Sequence, residues 1–281
     1  MKGKATMLEQ LRHLVHCEPS GQAWQEVCGV LDQMGPDELE IGLQYVLAHF
    51  MGWPPYVRAY RHDPRVDFKR WMQRPPVWLP AMASLSFSNN RIGTQELRTL
   101  IQSDQIASLT HLYLAANAIG PEGVAVLASA PRMASLTLLQ LWDNGVGDEG
   151  VMALANSPHM AGLTHLDLRQ NAIGPEGAKA LARSSHLAGV AHLNLAGNQI
   201  GDDGIAALAH SPHGANLRHL NVRNNAISDL GVDAVAHSPH MACLQHLNLR
   251  DNPIGKTGVW ALEHSTSLPG LVQTGSGSQI W

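Results

Sequence analysis

The sequence predicts an α/β solenoid, and three observations predict it. Sliding the chain against itself by 27 residues superimposes Asn90, Asn117, Asn144, Asn171, Asn198, Asn225 and Asn252, with no insertion between Met82 and Gly270. A fixed period of this size marks a repeat array in which each unit packs mainly on its neighbours. Each unit opens with apolar residues at positions one, four and six, as in Leu163, Leu166 and Leu168, the alternation of a short half-buried strand. The alternation then stops: Asn stands at position nine, Ile or Val at eleven, mostly Gly at twelve and fifteen, and Leu or Val at nineteen, which reads as a tight bend followed by a helix. Each repeat is strand, turn, helix and return.

In chain order, residues 1–81 are out of period and carry Trp24, Trp53, Trp71 and Trp78. A first helix is expected through Leu8, Leu11, Leu14 and Val15, and a second from Ala23 to Leu31 after the Pro19-Ser20-Gly21 break. A third, from Asp37 to about Met51, buries Leu39, Leu43, Val46, Leu47 and Phe50. Between Gly52 and Pro80 the prolines leave room for one further helix, Arg65 to Gln73. The first repeat would otherwise expose Met82, Leu85 and Phe87, so residues 1–81 are expected to be an amino-terminal helical capping module for the seven repeats of residues 82–270. In each repeat the Asn amide can turn inward onto backbone that no longer pairs as strand. Pro121 and Pro175 suit a first helical turn, and Glu122, Asp148, Glu149, Glu176, Asp202 and Asp203 complement the helix amino end. An eighth copy opens at Leu271 but has Thr274, Ser276 and Gln279 where Leu, Leu and Asn belong, so residues 271–281 form a degenerate repeat and tail.

Over residues 82–270 the spacing L-x-x-L-x-L-x-x-N-x-I-G-x-x-G-x-x-x-L resembles the leucine-rich repeat family, most of all its ribonuclease-inhibitor-like branch. The resemblance implies a curved solenoid with a parallel sheet on the concave face and helices on the convex face, and it implies no catalysis. Departures are local: Glu96 replaces the second Gly of the first repeat, and Ser228 replaces the first Gly of the sixth. In the amino-terminal module, Met34-Gly-Pro-Asp-Glu-Leu-Glu-Ile followed by Asp67-Phe-Lys-Arg-Trp71 is similar to the helical F-box that precedes repeats in some ubiquitin-ligase adaptors, without its paired Leu-Pro opening. That likeness implies a two-ended adaptor as the alternative to a simple scaffold.

Composition narrows the function classes. Residues 1–81 are balanced in charge, so the formal net charge of −4 falls on the repeats, which argues against a nucleic-acid backbone as partner. The opening segment lacks the continuous apolar core of a secretory signal, and no run of eighteen apolar residues occurs, so no membrane partner and a cytoplasmic location are expected. Cys17, Cys28 and Cys243 form no C-x-x-C and are expected to be buried small hydrophobes. G-x-S-x-G, G-x-x-x-x-G-K-[ST] and H-E-x-x-H are all absent, so a non-enzyme without cofactor is expected.

Strand residues three, five and seven, with eight just beyond, should face the concave side and stack about 4.8 Å apart from copy to copy. Column three reads Ser84, His111, Leu138, His165, His192, His219 and His246. All the histidines after residue 82 fall at positions three, twenty-one and twenty-four, a distribution that repeat duplication explains, so no metal ligand is assigned and a histidine-rich metal-binding protein ranks third. Imidazoles stacked at this spacing should repel on protonation and titrate below their ordinary pKa of about 6.5. The partner surface is placed where the columns vary: Tyr113, Gln140, Asp167, Asn194, Asn221 and Asn248 in column five, Trp142, Arg169, Arg223 and Arg250 in column seven, and Asp143 and Asp251 in column eight. Trp142, between Ala115 and Arg169, has the composition of a binding hot spot, or else covers Ala115 and Ala116. A protein partner on the concave face is the expected function; the oligomeric state is left open.

Overall fold

The computed structural model describes residues 6–50, 58–61 and 81–271. Three helices come first: α1 (Met7–Leu14), α2 (Gly21–Asp32) and α3 (Pro36–His49). Thr6 and Glu9 close a reciprocal capping box at the start of α1, and Ser20 caps α2 by accepting from the Ala23 N–H at 3.1 Å. Val46 and Phe50 are fully buried on the third helix and Leu39 and Leu43 partly so. Leu47, expected inside, is 38% exposed, because the apolar face of α3 turns toward α1 and α2 only along the Leu39–Leu43–Val46–Phe50 stripe. The helix proposed for Arg65–Gln73, the segment Asp67–Trp71, three of the four amino-terminal tryptophans and most of the degenerate eighth copy lie outside the described residues.

Strand β1 (Ala59–Arg61) belongs to the sheet although it precedes the repeats. It pairs in parallel with β2 (Ser84–Ser86), and from there β3 (His111–Tyr113), β4 (Leu138–Gln140), β5 (His165–Asp167), β6 (His192–Asn194), β7 (His219–Asn221) and β8 (His246–Asn248) follow in sequence order, each paired with the copy before it at position three, four and five. The intervening helices are α4 (Thr94–Gln102), α5 (Gly120–Ala128), α6 (Gly147–Ala155), α7 (Pro175–Arg183), α8 (Gly201–Ala209), α9 (Asp229–Ala236) and α10 (Lys256–Glu263). The result is an open solenoid with an eight-stranded parallel sheet lining the concave face and the helices outside it. One contiguous apolar core runs from Leu11 and Phe50 through Met82, Leu85 and Phe87 and along every repeat to Leu262 and Leu268.

Three ladders hold the turns together. The position-nine amide of Asn171 donates to the carbonyls of Leu141, Leu168 and Arg169 at 2.9, 3.0 and 3.1 Å, while its oxygen accepts the N–H of Asn144 and Val146 at 2.9 and 3.2 Å. Asn198 and Asn252 do the same for their own neighbours. A second ladder went unread in the sequence: buried Ser157, Ser184, Ser211 and Ser238 each donate to a carbonyl of the helix one repeat earlier, Ala128, Ala155, Ala182 and Ala209.

The third ladder corrects the expected role of the helix-start acids. Asp148 accepts from the Gly174 and Gly177 N–H groups at 2.7 and 2.9 Å, and Asp202 from those of Ser228 and Gly231 at 2.7 and 3.1 Å, so each caps the next helix rather than its own. This contact sets the turn. Where the previous repeat supplies the carboxylate, position twelve is extended, with φ −98° at Gly174 and −99° at Ser228; where it supplies Thr94, Pro121 or Pro175 instead, Gly120, Gly147 and Gly201 adopt φ of 64°, 59° and 58°. The glycines at position fifteen answer a different need. They lie inside the helices, and a Cβ at Gly177 would stand 2.5 Å from Asp148 Oδ1 and 2.7 Å from Ile173 Cγ2, so they permit close packing rather than bending.

The cysteines are less buried than expected. Cys17 and Cys28 are half-buried, and Cys243 is exposed because position twenty-seven is the surface turn just before a strand. Among the described residues no helix is long and apolar enough to cross a membrane.

Candidate functional site

The site is built on three-residue strands whose central leucines, Leu112 to Leu247, are buried in the core. Positions three and five therefore project to the other side. Together they line a concave groove of about 560 Å³, whose walls include Tyr113, Leu138, Gln140, Asp167, Asn194, Asn221, Asn248 and Arg250 along with His165, His192, His219 and His246. Column five is held by its own backbone: Asp167, Asn194, Asn221 and Asn248 each accept, through Oδ1, the N–H two residues on, at 3.1 to 3.2 Å. The amide nitrogens are thereby turned away from the strand end.

Column three is a stack of rings. His165 and His192 lie with centroids 4.1 Å apart and planes inclined by 8°, His192 and His219 4.1 Å and 12°, His219 and His246 4.3 Å and 16°. This is tighter than the strand spacing of about 4.8 Å, because the rings lean into van der Waals contact. The Nδ1 of His165 is 2.9 Å from the Thr164 hydroxyl, and His111 repeats that contact with Thr110 at the same distance. Burial, more than repulsion, depresses the basicity of His111, His165, His192 and His219. His192, with a ring on each side and Arg218 nearby, is brought down to about 4 by burial first and then by the charges of its neighbours. Asp167 moves the other way: burial raises its carboxyl, against the Arg169 N–H and charge and bonds from Gln140 and Asn194.

At the groove's margin Arg169 bridges two features. Its guanidinium carbon sits 5.1 Å from the centroid of the half-buried Trp142 ring, and Nη2 is 3.2 Å from Asp167 Oδ2. Further along, Arg223 Nε donates to Asp251 Oδ2 at 2.5 Å. Position eight carries Asp143 and Asp251 in the left-handed region, with φ of 54° and 60°, where the chain leaves the strand.

A family model for the Leucine Rich repeat matches residues 105–128, 132–155, 161–182, 190–209, 215–236 and 240–262. The chain is a leucine-rich repeat protein. Similar solved structures include an internalin C2 from Listeria monocytogenes, 22% identical over 72% of this chain and 88% of that one with a TM-score of 0.46, and human 5T4 (Wnt-activated inhibitory factor 1, trophoblast glycoprotein), 19% identical over 78% and 76% with a TM-score of 0.46. At these identities and scores the likeness carries no functional argument. No curated protein matches the sequence.

In this leucine-rich repeat protein the candidate residues fall into two sets. Tyr113, Gln140, Asp167, Asn194, Asn221, Asn248 and Arg250 share the groove, whereas Trp142, Asp143, Arg169, Arg223 and Asp251 do not line it. The stacked histidines line it too, although their regular recurrence had suggested a scaffold role. The sequence signal was available: position three faces the same side as position five. The histidines at position twenty-one are tied to the scaffold. The Nδ1 atoms of His210, His237 and His264 lie 2.8 to 3.0 Å from the carbonyl one helical turn earlier, at helix carboxyl ends. Among the described residues no group of three or more His, Cys, Asp or Glu could hold a metal ion; parallel rings face one another instead of converging on a point.

Proposed function

We propose that this protein is a non-catalytic scaffold that binds a protein partner on its concave face, with the groove residues making the polar contacts and Trp142 on Arg169 forming an anchor at the margin. The observation that carries the reading is the contrast within one sheet: the inward side chains from Leu85 to Leu247 are apolar and buried, while the outward ones make a continuous groove of half-exposed rings, amides and charges. Trp and Arg are among the residue types most enriched at interface hot spots. The 27-residue register and the two-turn helix of each repeat support placement in the ribonuclease-inhibitor-like branch. Residues 1–81 serve in this reading as the amino-terminal cap, supported by the core shared between Phe50 and Met82.

The test is affinity capture from the source cells with the full chain and with Trp142→Ala. Removing a hot-spot ring costs about 2 kcal/mol, so the variant is expected to lose the wild-type partner, with binding weakened at least about tenfold and the urea midpoint nearly unchanged. An unaltered set of captured proteins, or a large fall in stability, would make Trp142 a structural residue and remove the anchor.

A further inference from the structure

Accepting the concave face as the binding surface, we propose that the imidazole stack makes the carboxyl half of the groove an acid-responsive site for an extended, carboxylate-rich peptide segment, so that partner binding and proton uptake are one linked event.

The geometry is the starting point. His165, His192, His219 and His246 stand on successive parallel strands at 4.1 to 4.3 Å, and the row spans about four residues of extended chain. Neutral rings stack comfortably at this distance. Protonated rings do not: adjacent imidazolium charges about 4 Å apart repel strongly in a partly desolvated groove. The row can therefore take up several protons only when negative charge is brought against it. An anion bound along the row supplies that charge, and by reciprocity whatever favours protonation favours the anion.

The surrounding charges select the same sign of ligand. Arg218, just before β7, acts on His192 and His219, and Arg250, just after β8, lines the groove. On β3, further along the same sheet, Tyr113 lines the groove, and His111 stands in the histidine column beyond Leu138. Asp167 on β5 is the carboxylate in the wall, its acidity weakened by burial, and it lies against Arg169. Arg223 and Asp251 beyond the margin neutralise each other. Acidification thus converts a nearly balanced groove into a cationic one on a chain whose formal net charge is −4. An extended peptide fits the open, strand-lined shape, and the outward amides of Asn194, Asn221 and Asn248 offer its backbone hydrogen-bond donors.

The experiment uses the full chain and a fluorescein-labelled peptide of alternating Glu and Gly, with a Gln–Gly peptide as control, followed by anisotropy at pH of about 7.5 and about 5.5, on either side of the ordinary imidazole pKa. Wild type is expected to bind the acidic peptide at least about tenfold more tightly at the lower pH, a linkage of about one pKa unit at one ring. The Gln peptide should show no gain, and calorimetry in buffers of different ionisation heat should register proton uptake on binding. His192→Gln combined with His219→Gln should reduce the gain to less than about twofold; if that pair does not fold, His246→Gln at the more exposed end of the row should reduce it in part. The same gain in the variants, equal gain with the Gln peptide, tighter binding of an oligothymidylate, or no acidic-peptide binding at the lower pH would each overturn the proposal. Should the peptide fail while Trp142→Ala still abolishes partner capture, this inference falls and the concave-face reading stands.

Discussion

The asparagine and histidine ladders recur with the same period, one residue per repeat, and yet they belong to different kinds of surface. Asn171 is 1% exposed and bonds five backbone groups of two successive turns, so its repetition is a requirement of the backbone. The histidines of column three touch chiefly one another and line an open groove, and Leu138 and Ser84 occupy the same column without disturbing the strand register. Regular recurrence alone does not separate a scaffold residue from a surface one. Burial and hydrogen-bond saturation do.

The sharpest way to break that comparison is to remove one member of each ladder. Asn171→Ala leaves the Asn144 and Val146 N–H groups without an acceptor in a buried turn, while the Leu141, Leu168 and Arg169 carbonyls each keep another donor; at about 1 kcal/mol or more for each N–H left without a partner the expected loss is about 2 kcal/mol or more. His192→Gln, which keeps a polar side chain on an accessible wall, is expected to cost less than about 1 kcal/mol. Urea unfolding of both, with the slope checked for loss of cooperativity between repeats, decides it. Similar losses for the two would mean that the histidine row is part of the scaffold after all.

Position twelve carries the same contrast inside a single column. Ser228 replaces Gly there because its N–H and hydroxyl both reach Asp202, at 2.7 and 2.6 Å, in an extended turn. Gly174 has the same extended backbone facing Asp148, so Gly174→Ser is expected to be neutral or slightly stabilising. Gly201, in the left-handed region opposite Pro175, gains no such partner, and Gly201→Ser is expected to cost about 1 kcal/mol. Equal effects in thermal melts would show that the preceding carboxylate does not govern the turn.

The solenoid was legible in the sequence because its determinants are local and repeated. Leu163, Leu166, Leu168 and Asn171 announce strand and turn by spacing alone. What escaped the sequence depends on neighbours one repeat away: the carboxylate of Asp148 reaching Gly174, the hydroxyl of Ser184 reaching Ala155, the need for Gly177 to admit close packing. Strand β1 escaped because a single three-residue strand before the first repeat has no period to reveal it. At the site, the outward direction of columns three and five was readable, but the division between groove and margin was not. Arg169 leaves the groove to lie on Trp142 and Asp167, and that choice is made by side-chain packing across strands.

The smallest expected effect concerns the protons of the histidine row in the unliganded protein. His111, His165, His192 and His219 are all less basic when folded than in the unfolded chain, where imidazole titrates near 6.5. Between about pH 7 and the folded value of about 4 for His192, the unfolded chain binds more protons than the native one, so stability is highest above the unfolded pKa and falls as the pH drops through this window. Asp167 acts in the opposite sense, because its folded carboxyl is raised: the native state holds that proton first, and part of the loss is offset at the acid end. Solvent access to the rings further reduces the effect. The urea midpoint of the wild type is therefore expected to decline modestly from about pH 7 to about pH 5 and to flatten below that. A variant with His165, His192, His219 and His246 changed to Gln should lose most of the slope. If the wild type shows no decline, or the variant declines as steeply, the row is not coupled to folding, and the distinction between the two ladders rests on the asparagines alone.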